Sequence, residues 1–459
     1  MIRDFFYPKS IAIIGATANP KKFGNAVTIN ILKNKDLISE LYLVTKNAKE
    51  ISGRRCYRSI LDVSEQIDIA IILVPSKAVE AVIQECIEKK VKGIIIVTAG
   101  FGEINDEGKI IENRIAMKCK NAGIRVIGPN CVGIQNNEIN LNASFIQAAP
   151  KGNISMISQS GSFACASFYA MEQESLGCSK FANIGNNIDV SFVDILEYYN
   201  DDDKSKIISI YMETMSDGKD FYNTIKKINT VKPIIILKGG KSEYGMKAAS
   251  SHTGAIATNY KLLKAAIKQA GAILCEETTD FIVALKTYSF LPLPKGEKIG
   301  VLTNSGGSSV LFSDKAEEYG LKLVEFSNEL IQKVKPYLIP LVKFVNPLDM
   351  IGVAEEKQYY EITKAMLEDP DIDIVVPCLV VPPFLEMTPS EHYRGMIRAW
   401  NDTHRKKPLI PLIFMGKKFN EIKELAIQEK APIYYNPQEA AYAIKLLVER
   451  KKTLKRLFN

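Results

Sequence analysis

The chain has 459 residues, 46% of them apolar, and its 59 Lys and Arg outnumber its 52 Asp and Glu to leave a net charge of +7. That length holds about three ordinary domains with a core for each, which excludes a disordered chain. The basic residues are dispersed rather than clustered with aromatics, which speaks against a nucleic-acid surface and leaves a polyanionic small ligand or a solvated lysine-rich surface.

Short apolar runs alternate with longer amphipathic segments, the pattern of parallel sheets crossed by helices. Ser10–Gly15, Glu40–Val44, Ile67–Val74, Gly93–Val97 and Arg125–Gly128 predict five strands of an open, doubly wound first domain, residues 1–130. Ile154–Ile157, Cys178–Ala182, Ile207–Tyr211 and Pro233–Leu237 predict a second domain within 150–290. The paired prolines of Pro292-Leu-Pro-Lys-Gly296 suit an extended linker. Ile299–Thr303, Asp373–Val376 and Leu409–Phe414 then predict a third domain, 297–459, closing in a basic helix from Ala440 to Arg456. The N-terminus has no long apolar stretch, and no later apolar run approaches the roughly 20 residues of a membrane span. Eight cysteines without Cys-x-x-Cys spacing argue against a zinc site or a disulfide framework and point to the cytoplasm.

Two segments open alike. Met156-Ile-Ser-Gln-Ser-Gly-Ser-Phe-Ala164 and Leu302-Thr-Asn-Ser-Gly-Gly-Ser-Ser-Val310 each run from a strand through Ser-Gly into small residues that start a helix. Free backbone N–H groups and the positive end of a helix dipole suit an anion there, so Ser160 and Gly161, and Asn304, Ser305, Gly306 and Gly307, are candidate phosphate binders. A plain strand-to-helix turn with a serine N-cap has the same sequence. In the first domain Gly15 to Gly24 follows a strand but lacks G-x-G-x-x-G, and the second strand runs into Val44-Thr-Lys46 instead of a ribose-binding carboxylate, which weakens a nicotinamide dinucleotide reading. Lys21, Lys22 and Lys46 suit an ADP group with an additional phosphate, as in coenzyme A, or ordinary loop solvation. His252, one of three histidines, stands in Ser251-His-Thr-Gly-Ala255. On a flexible loop eased by Gly239, Gly240, Gly245 and Gly254, a neutral imidazole suits carriage of a phosphoryl group between two places; a lone histidine also serves as a hydrogen-bonded structural residue.

The motifs Ile14-Gly-Ala-Thr17, Val74-Pro-Ser76, Thr98-Ala-Gly-Phe-Gly-Glu103, Gly128-Pro-Asn-Cys-Val-Gly133, Ser158-Gln-Ser-Gly161, Asn183-Ile-Gly-Asn-Asn-Ile-Asp189, Tyr211-Met-Glu213, Ser251-His-Thr-Gly-Ala255, Thr303-Asn-Ser-Gly-Gly307 and Asn346-Pro-Leu-Asp349 run in order along the chain. In this they resemble the alpha subunits of ADP-forming acyl-CoA synthetases (acetate–CoA ligases) of the succinyl-CoA synthetase superfamily. The resemblance implies a CoA-binding Rossmann-like domain followed by two flavodoxin-like ligase domains. It implies that acyl-CoA reacts reversibly with inorganic phosphate to give acyl phosphate and CoA, that His252 takes the phosphoryl group with Glu213 orienting it, and that ADP receives it.

Carried across in the same way, Gly15, Thr17, Lys22, Gly24, Lys46, Val74, Pro75, Ser76, Ala99, Gly100, Phe101 and Asn130 are the coenzyme A residues. Asn130, Cys131 and Val132 lie where the thiol meets the acyl phosphate, Cys131 as a small packed residue rather than a nucleophile, and Asp349 orders the loop beside the phosphate or caps its own turn. No metal ligand is expected on this chain. No segment resembles an ATP-grasp domain, so the resemblance places ADP or ATP with Mg2+ on a beta subunit, in an alpha2beta2 heterotetramer acting on a small-molecule acid. A non-catalytic CoA-binding or regulatory module and a nicotinamide-dependent oxidoreductase are the alternatives; His252 with Glu213 counts against the first and the missing fingerprint against the second.

Overall fold

The computed structural model describes residues 2–34, 40–215, 217–253, 259–380, 389–414 and 420–458, with the side chains of 249–253, 389 and 458 outside the description. Contacts divide the chain into two compact units, Met1–Thr278 and Thr279–Asn459.

The first unit contains two sheets. One is built from β1 (Ser10–Ile14), β2 (Glu40–Val44), β3 (Glu50–Ile51), β4 (Arg54–Tyr57), β5 (Ile69–Ile72), β6 (Gly93–Ile96) and β7 (Arg125–Ile127), in the order β3-β4-β2-β1-β5-β6-β7. The other uses β8 (Gly133–Asn136), β9 (Leu141–Ser144), β10 (Lys151–Ser158), β11 (Cys178–Asn183), β12 (Ile207–Met212), β13 (Ile234–Lys238) and β14 (Ile273–Cys275), in the order β14-β13-β12-β10-β11-β8-β9. The central strands are parallel and buried on both faces, as near-continuous Ile, Val and Leu runs require. One apolar cluster includes Ile11 and Ile13 of the first sheet with Ile157 and Ile210 of the second, so the two sheets share a core.

The second unit carries β15 (Lys298–Thr303), β16 (Lys322–Leu323), β17 (Leu348–Asp349), β18 (Ile374–Leu379) and β19 (Leu412–Ile413), all paired parallel. The helix Thr278–Phe290 falls almost wholly within this unit, where Val283 joins the core. Pro292 to Gly296 forms neither helix nor strand, and the closing helix runs from Pro437 to Phe458. The fold is thus α/β, with two seven-stranded sheets in the first unit and a parallel sheet in the second.

Several short strands escape sequence reading. β8 and β9 are half polar, yet every residue is buried in an antiparallel hairpin. Their polar groups are satisfied inside: Gln135 Nε2 donates to Ser144 Oγ at 3.0 Å and Asn136 Nδ2 to the Phe6 carbonyl at 2.9 Å.

A buried charge fastens the N-terminus to this hairpin and to the second sheet. Lys180 of β11 is fully buried, 2.8 Å from Asp202 and 3.5 Å from Glu138, whose carboxylate also accepts from Tyr7 Oη. Burial alone would raise the Asp202 carboxyl, but Lys180 and Ser205 hold it below its ordinary range. Removing one partner strands a buried charge, so Lys180→Met is expected to cost about 3–5 kcal/mol in urea unfolding. The Asp202 contribution is complete above the ordinary aspartate pKa of about 4 and fades as pH falls through its depressed value. A Lys180→Met loss below about 1 kcal/mol, the size of a surface pair, would contradict this role.

Candidate active site

The first sheet reverses its winding at β1, which has β2 on one side and β5 on the other. In such sheets a crevice opens beyond the carboxyl ends of the strands. Gly15 follows β1 with φ +101°, and a Cβ there would lie 2.8 Å from the Leu73 carbonyl. A Cβ on Gly24 would lie 2.3 Å from the Gly15 oxygen, so these glycines let the helix Phe23–Leu32 start against the strand end. Lys22, its N-cap, makes no side-chain cap. First-turn N–H groups and the positive dipole end are therefore available to an anion.

The crevice holds about 1000 Å³. Of the residues predicted for coenzyme A, Gly15, Thr17, Lys22, Gly24, Lys46, Val74, Pro75, Ala99 and Asn130 line it, as does Lys21. Ser76, Gly100 and Phe101 stand outside the lining. Phe101 is wholly buried, and the Ser76 hydroxyl lies 3.3 Å from where a Gly100 Cβ would be. Arg58 and Phe145 are lining residues that sequence reasoning missed. Arg58 follows β4, and Phe145, stacked on Phe23 with centroids 4.2 Å apart, follows β9. Neither strand has a periodicity that would have drawn attention to the residue after it.

The floor consists of two turns tied together. Asn130, at φ +56°, donates its backbone N–H to the Thr98 carbonyl at 3.0 Å and its amide to Asn186 Oδ1 at 3.2 Å. Asn186 in turn donates to Glu103 and Glu112, each at 2.6 Å. Burial pushes the Glu103 carboxyl up, but the Gly100 and Phe101 N–H groups and the Asn186 amide outweigh it and hold it below the ordinary range. Val132 N–H donates to Asn183 Oδ1 at 2.7 Å, and Asn183 Nδ2 donates to the Ser158 carbonyl at 2.8 Å. Asn183 thereby joins the Asn130 turn to the Ser160 turn.

A Cβ on Gly161 would sit 2.1 Å from Val132 Cγ1. Ser160 caps the helix Gly161–Gln173, its Oγ accepting from Phe163 N–H at 3.2 Å. The earlier N–H groups of that turn have no intrahelical acceptor. Cys131 is buried, its Sγ–H directed to the Ile96 carbonyl at 3.2 Å, and burial pushes the thiol up to about 12. It is packing, not a nucleophile.

Glu213 follows β12, which lies beside β10 at the second sheet's own reversal. Its Oε1 accepts from Tyr211 Oη at 3.2 Å, its carbonyl from Lys238 Nζ at 2.7 Å, and its N–H donates to Gln159 Oε1 at 2.5 Å. Burial, and then the Glu213 charge, raises the Tyr211 phenol well above its ordinary value, so it stays a donor. Burial lowers the Lys238 ammonium, and Glu213 opposes that shift.

His252 lies near the end of the helix Glu243–Thr253, where the sequence suggested a loop. Ser242 Oγ accepts from Gly245 N–H at 3.1 Å and Lys247 pairs with Glu243 at 3.2 Å, one turn apart, which supports the helix start. Gly239 is set by packing: a Cβ would lie 2.6 Å from Tyr211 Oη. Gly240 has φ +73°. The His252 side chain and Gly254 lie outside the described residues.

The second predicted phosphate turn belongs to the second unit. Thr303 Oγ1 accepts from Ser305 N–H at 2.9 Å, and Asn304 exchanges bonds of 2.8 and 3.0 Å with the Val380 backbone. Ser305 precedes the helix Gly306–Glu318 without a side-chain cap, and Gly306 and Gly307 are exposed. Asp349 pairs in register with Thr303, and its Oδ2 lies 3.1 Å from where a Gly306 Cβ would be. Its other oxygen accepts from Ile351 N–H at 2.9 Å, so it caps its own turn as well as flanking the glycine. Among the described residues no group of three or more His, Cys, Asp or Glu is placed to hold a metal ion, and no helix is long and apolar enough to cross a membrane.

Three family models match the chain in sequence: a CoA binding domain over residues 9–137, a succinyl-CoA ligase like flavodoxin domain over 151–288 and a ligase-CoA domain over 299–401. The alpha subunit of acetate–CoA ligase [ADP-forming] II of Pyrococcus furiosus is 40% identical over 454 residues, 99% of this chain and 99% of that one. An acetate–CoA ligase [ADP-forming] of Methanocaldococcus jannaschii is 42% identical over 349 residues, which are 76% of this chain and 49% of that protein. A solved structure from Ca. Korarchaeum cryptofilum, a dinucleotide forming acetyl-coenzyme A synthetase 1 in complex with phosphate and ADP, matches with a TM-score of 0.93 at 31% identity, covering 100% of this chain and 98% of that one. Full-length similarity to an alpha subunit, together with the ordered domain matches, shows that the chain belongs to the family of ADP-forming acetate–CoA ligase alpha subunits, among the succinyl-CoA ligase-like proteins.

Proposed function

We propose that this chain is the catalytic alpha subunit of an ADP-forming acyl-CoA synthetase, with acetyl-CoA as the default substrate, interconverting acyl-CoA, phosphate and ADP with the acid, CoA and ATP. The observation that carries this is a single crevice whose walls include both the cations Lys22 and Lys46 and the helix N-terminus at Ser160 and Gly161. A phosphorylated coenzyme along it brings its thioester to a turn suited to an anion.

In the first step a phosphate oxygen attacks the thioester carbonyl carbon, the C–S bond breaks, and CoA leaves as a thiolate that takes up a proton. In the second, a neutral imidazole nitrogen of His252 attacks phosphorus, the bond to the acyl oxygen breaks, and the carboxylate leaves. In the third, ADP takes the phosphoryl group from the phosphohistidine. N–H groups of the Ser160–Gly161 turn stabilise charge on the phosphoryl oxygens without reorganising. Glu213 accepts from the other imidazole nitrogen, fixing the tautomer and supporting the positive charge that develops. Gly15, Thr17, Lys22, Gly24, Lys46, Val74, Pro75, Ser76, Ala99, Gly100, Phe101 and Asn130 form the coenzyme side, on a domain bounded at 1–130, with the two ligase domains bounded at 150–290 and 297–459.

ADP with Mg2+ belongs to a beta subunit bearing an ATP-grasp domain, in a cytoplasmic alpha2beta2 heterotetramer. The name "subunit alpha" of the Pyrococcus relative and the Methanocaldococcus protein's greater length support a separate nucleotide-binding part, and eight free cysteines suit a reducing compartment.

His252→Ala is expected to abolish both an acid-labile, base-stable phosphoprotein and ATP formation while leaving CoA affinity unchanged, as read by labelling and calorimetry. Equal loss of CoA affinity and of ATP formation would contradict the separation of roles. Glu213→Gln keeps size and hydrogen bonding but removes the charge behind the imidazolium. It should slow phosphorylation of the chain by about 10- to 100-fold; an unchanged rate in rapid-quench labelling would mean another group orients the ring.

A further inference from the structure

We infer that Gln159 is a positioning residue for phosphoryl transfer, its side-chain amide setting where Glu213 stands relative to the phosphate turn; the inference rests on the role proposed for Glu213. Gln159 lies between Ser158 and Ser160 and is half-buried in the wall of the crevice. Its backbone N–H donates to the Tyr211 carbonyl at 3.1 Å, one residue beyond the paired end of β10 and β12. The side chain then crosses to the next loop. Oε1 accepts from Glu213 N–H at 2.5 Å and Thr214 N–H at 3.0 Å, and Nε2 donates to Thr214 Oγ1 at 3.1 Å.

Glu213 is anchored at each of its polar parts. Tyr211 holds the carboxylate, Lys238 the carbonyl and Gln159 the N–H. Of these Gln159 belongs to the Ser158–Gly161 turn, so it ties the carboxylate loop directly to that helix N-terminus through a side chain. Two successive N–H groups converging on one oxygen also make a small anion-binding concavity. An uncharged amide oxygen fills it, which denies phosphate a competing seat beside Glu213 and adds no negative charge near the transferring group. A carboxylate at this position would keep the acceptor but repel phosphate; an apolar side chain would spare phosphate and release the loop. Misplacement of a catalytic group by about 1 Å costs about 100-fold in rate.

The test compares Gln159→Leu and Gln159→Glu with the parent chain by amide hydrogen exchange at Glu213 and Thr214 and by rapid-quench labelling from acetyl-CoA and labelled phosphate. Gln159→Leu should lose protection at both amides and lower the phosphorylation rate constant about 10- to 100-fold, with the KM for phosphate and CoA affinity unchanged. Gln159→Glu should keep the two amides protected and raise the KM for phosphate. An unaltered rate in Gln159→Leu, or the same fall in rate and affinity with both variants, overturns the inference. Should Gln159→Leu not fold, loss of amide protection or an unchanged phosphate KM in Gln159→Glu overturns it just as well. If the parent chain forms no phosphohistidine, the role proposed for Glu213 fails instead, and amide exchange still decides whether Gln159 holds the loop.

Discussion

The close approach of the Gly161 turn to Val132 is the constraint on which the site depends. A methyl group at residue 161 would penetrate Val132, so the helix N-terminus and the Asn130 turn meet only because one of them lacks a side chain. Asn183 locks the approach with a bond to each turn, each worth about 0.5–1.5 kcal/mol net. Rigidity matters here because backbone donors stabilise a phosphoryl oxygen most when they need not move to do so. Gly24 against Gly15 does the same for the coenzyme side of the crevice. Since both sheets share one core cluster, the two ends of the crevice are held in register by the same packing that holds the unit together.

Electrostatics assigns the chemistry within that frame. Cys131 has its thiol pushed to about 12 by burial and cannot supply a thiolate at neutral pH. The acceptor of a phosphoryl group is therefore sought on a residue that is nucleophilic while neutral, and histidine is the one whose ordinary pKa allows this. Glu213, flanked by a protonated phenol and a buried ammonium, is the kind of carboxylate that can support an imidazolium. Lys22, Lys46 and Arg58 sit at exposed positions, where screening over about 8–10 Å confines their influence to charge already within the crevice.

Much of this was legible because the central strands are unbroken apolar runs and the glycine turns follow them directly. β1 and β10 lead into Gly15 and Ser160, which carry most of the crevice's turns, and β15 leads in the same way into Ser305 of the second unit. Buried polar strands were not legible: Gly133-Ile-Gln-Asn136 and Leu141-Asn-Ala-Ser144 carry no apolar run to announce them, and their side chains satisfy one another inside the fold. Phe145 was lost with the end of the second of these, and Arg58 with the end of the short strand Arg54–Tyr57. Gln159 was quoted in a motif, but its reach to Glu213 arises from the pairing of β10 with β12, two strands separated by β11 in sequence. The segment around His252 looked like a glycine-rich loop, whereas Ser242 and the Glu243–Lys247 pair start a helix there.

In the proposed reaction the phosphoryl group leaves the acyl side on this chain and reaches ADP only through it. Labelled acetyl phosphate added to the purified chain should place its label on His252 in the absence of nucleotide. After removal of free label, adding ADP, Mg2+ and an ATP-grasp partner should move that label quantitatively into ATP, while ADP and Mg2+ alone should leave it on the protein. ATP formed without the partner, or formed with it while the protein-bound label stays in place, would contradict the account.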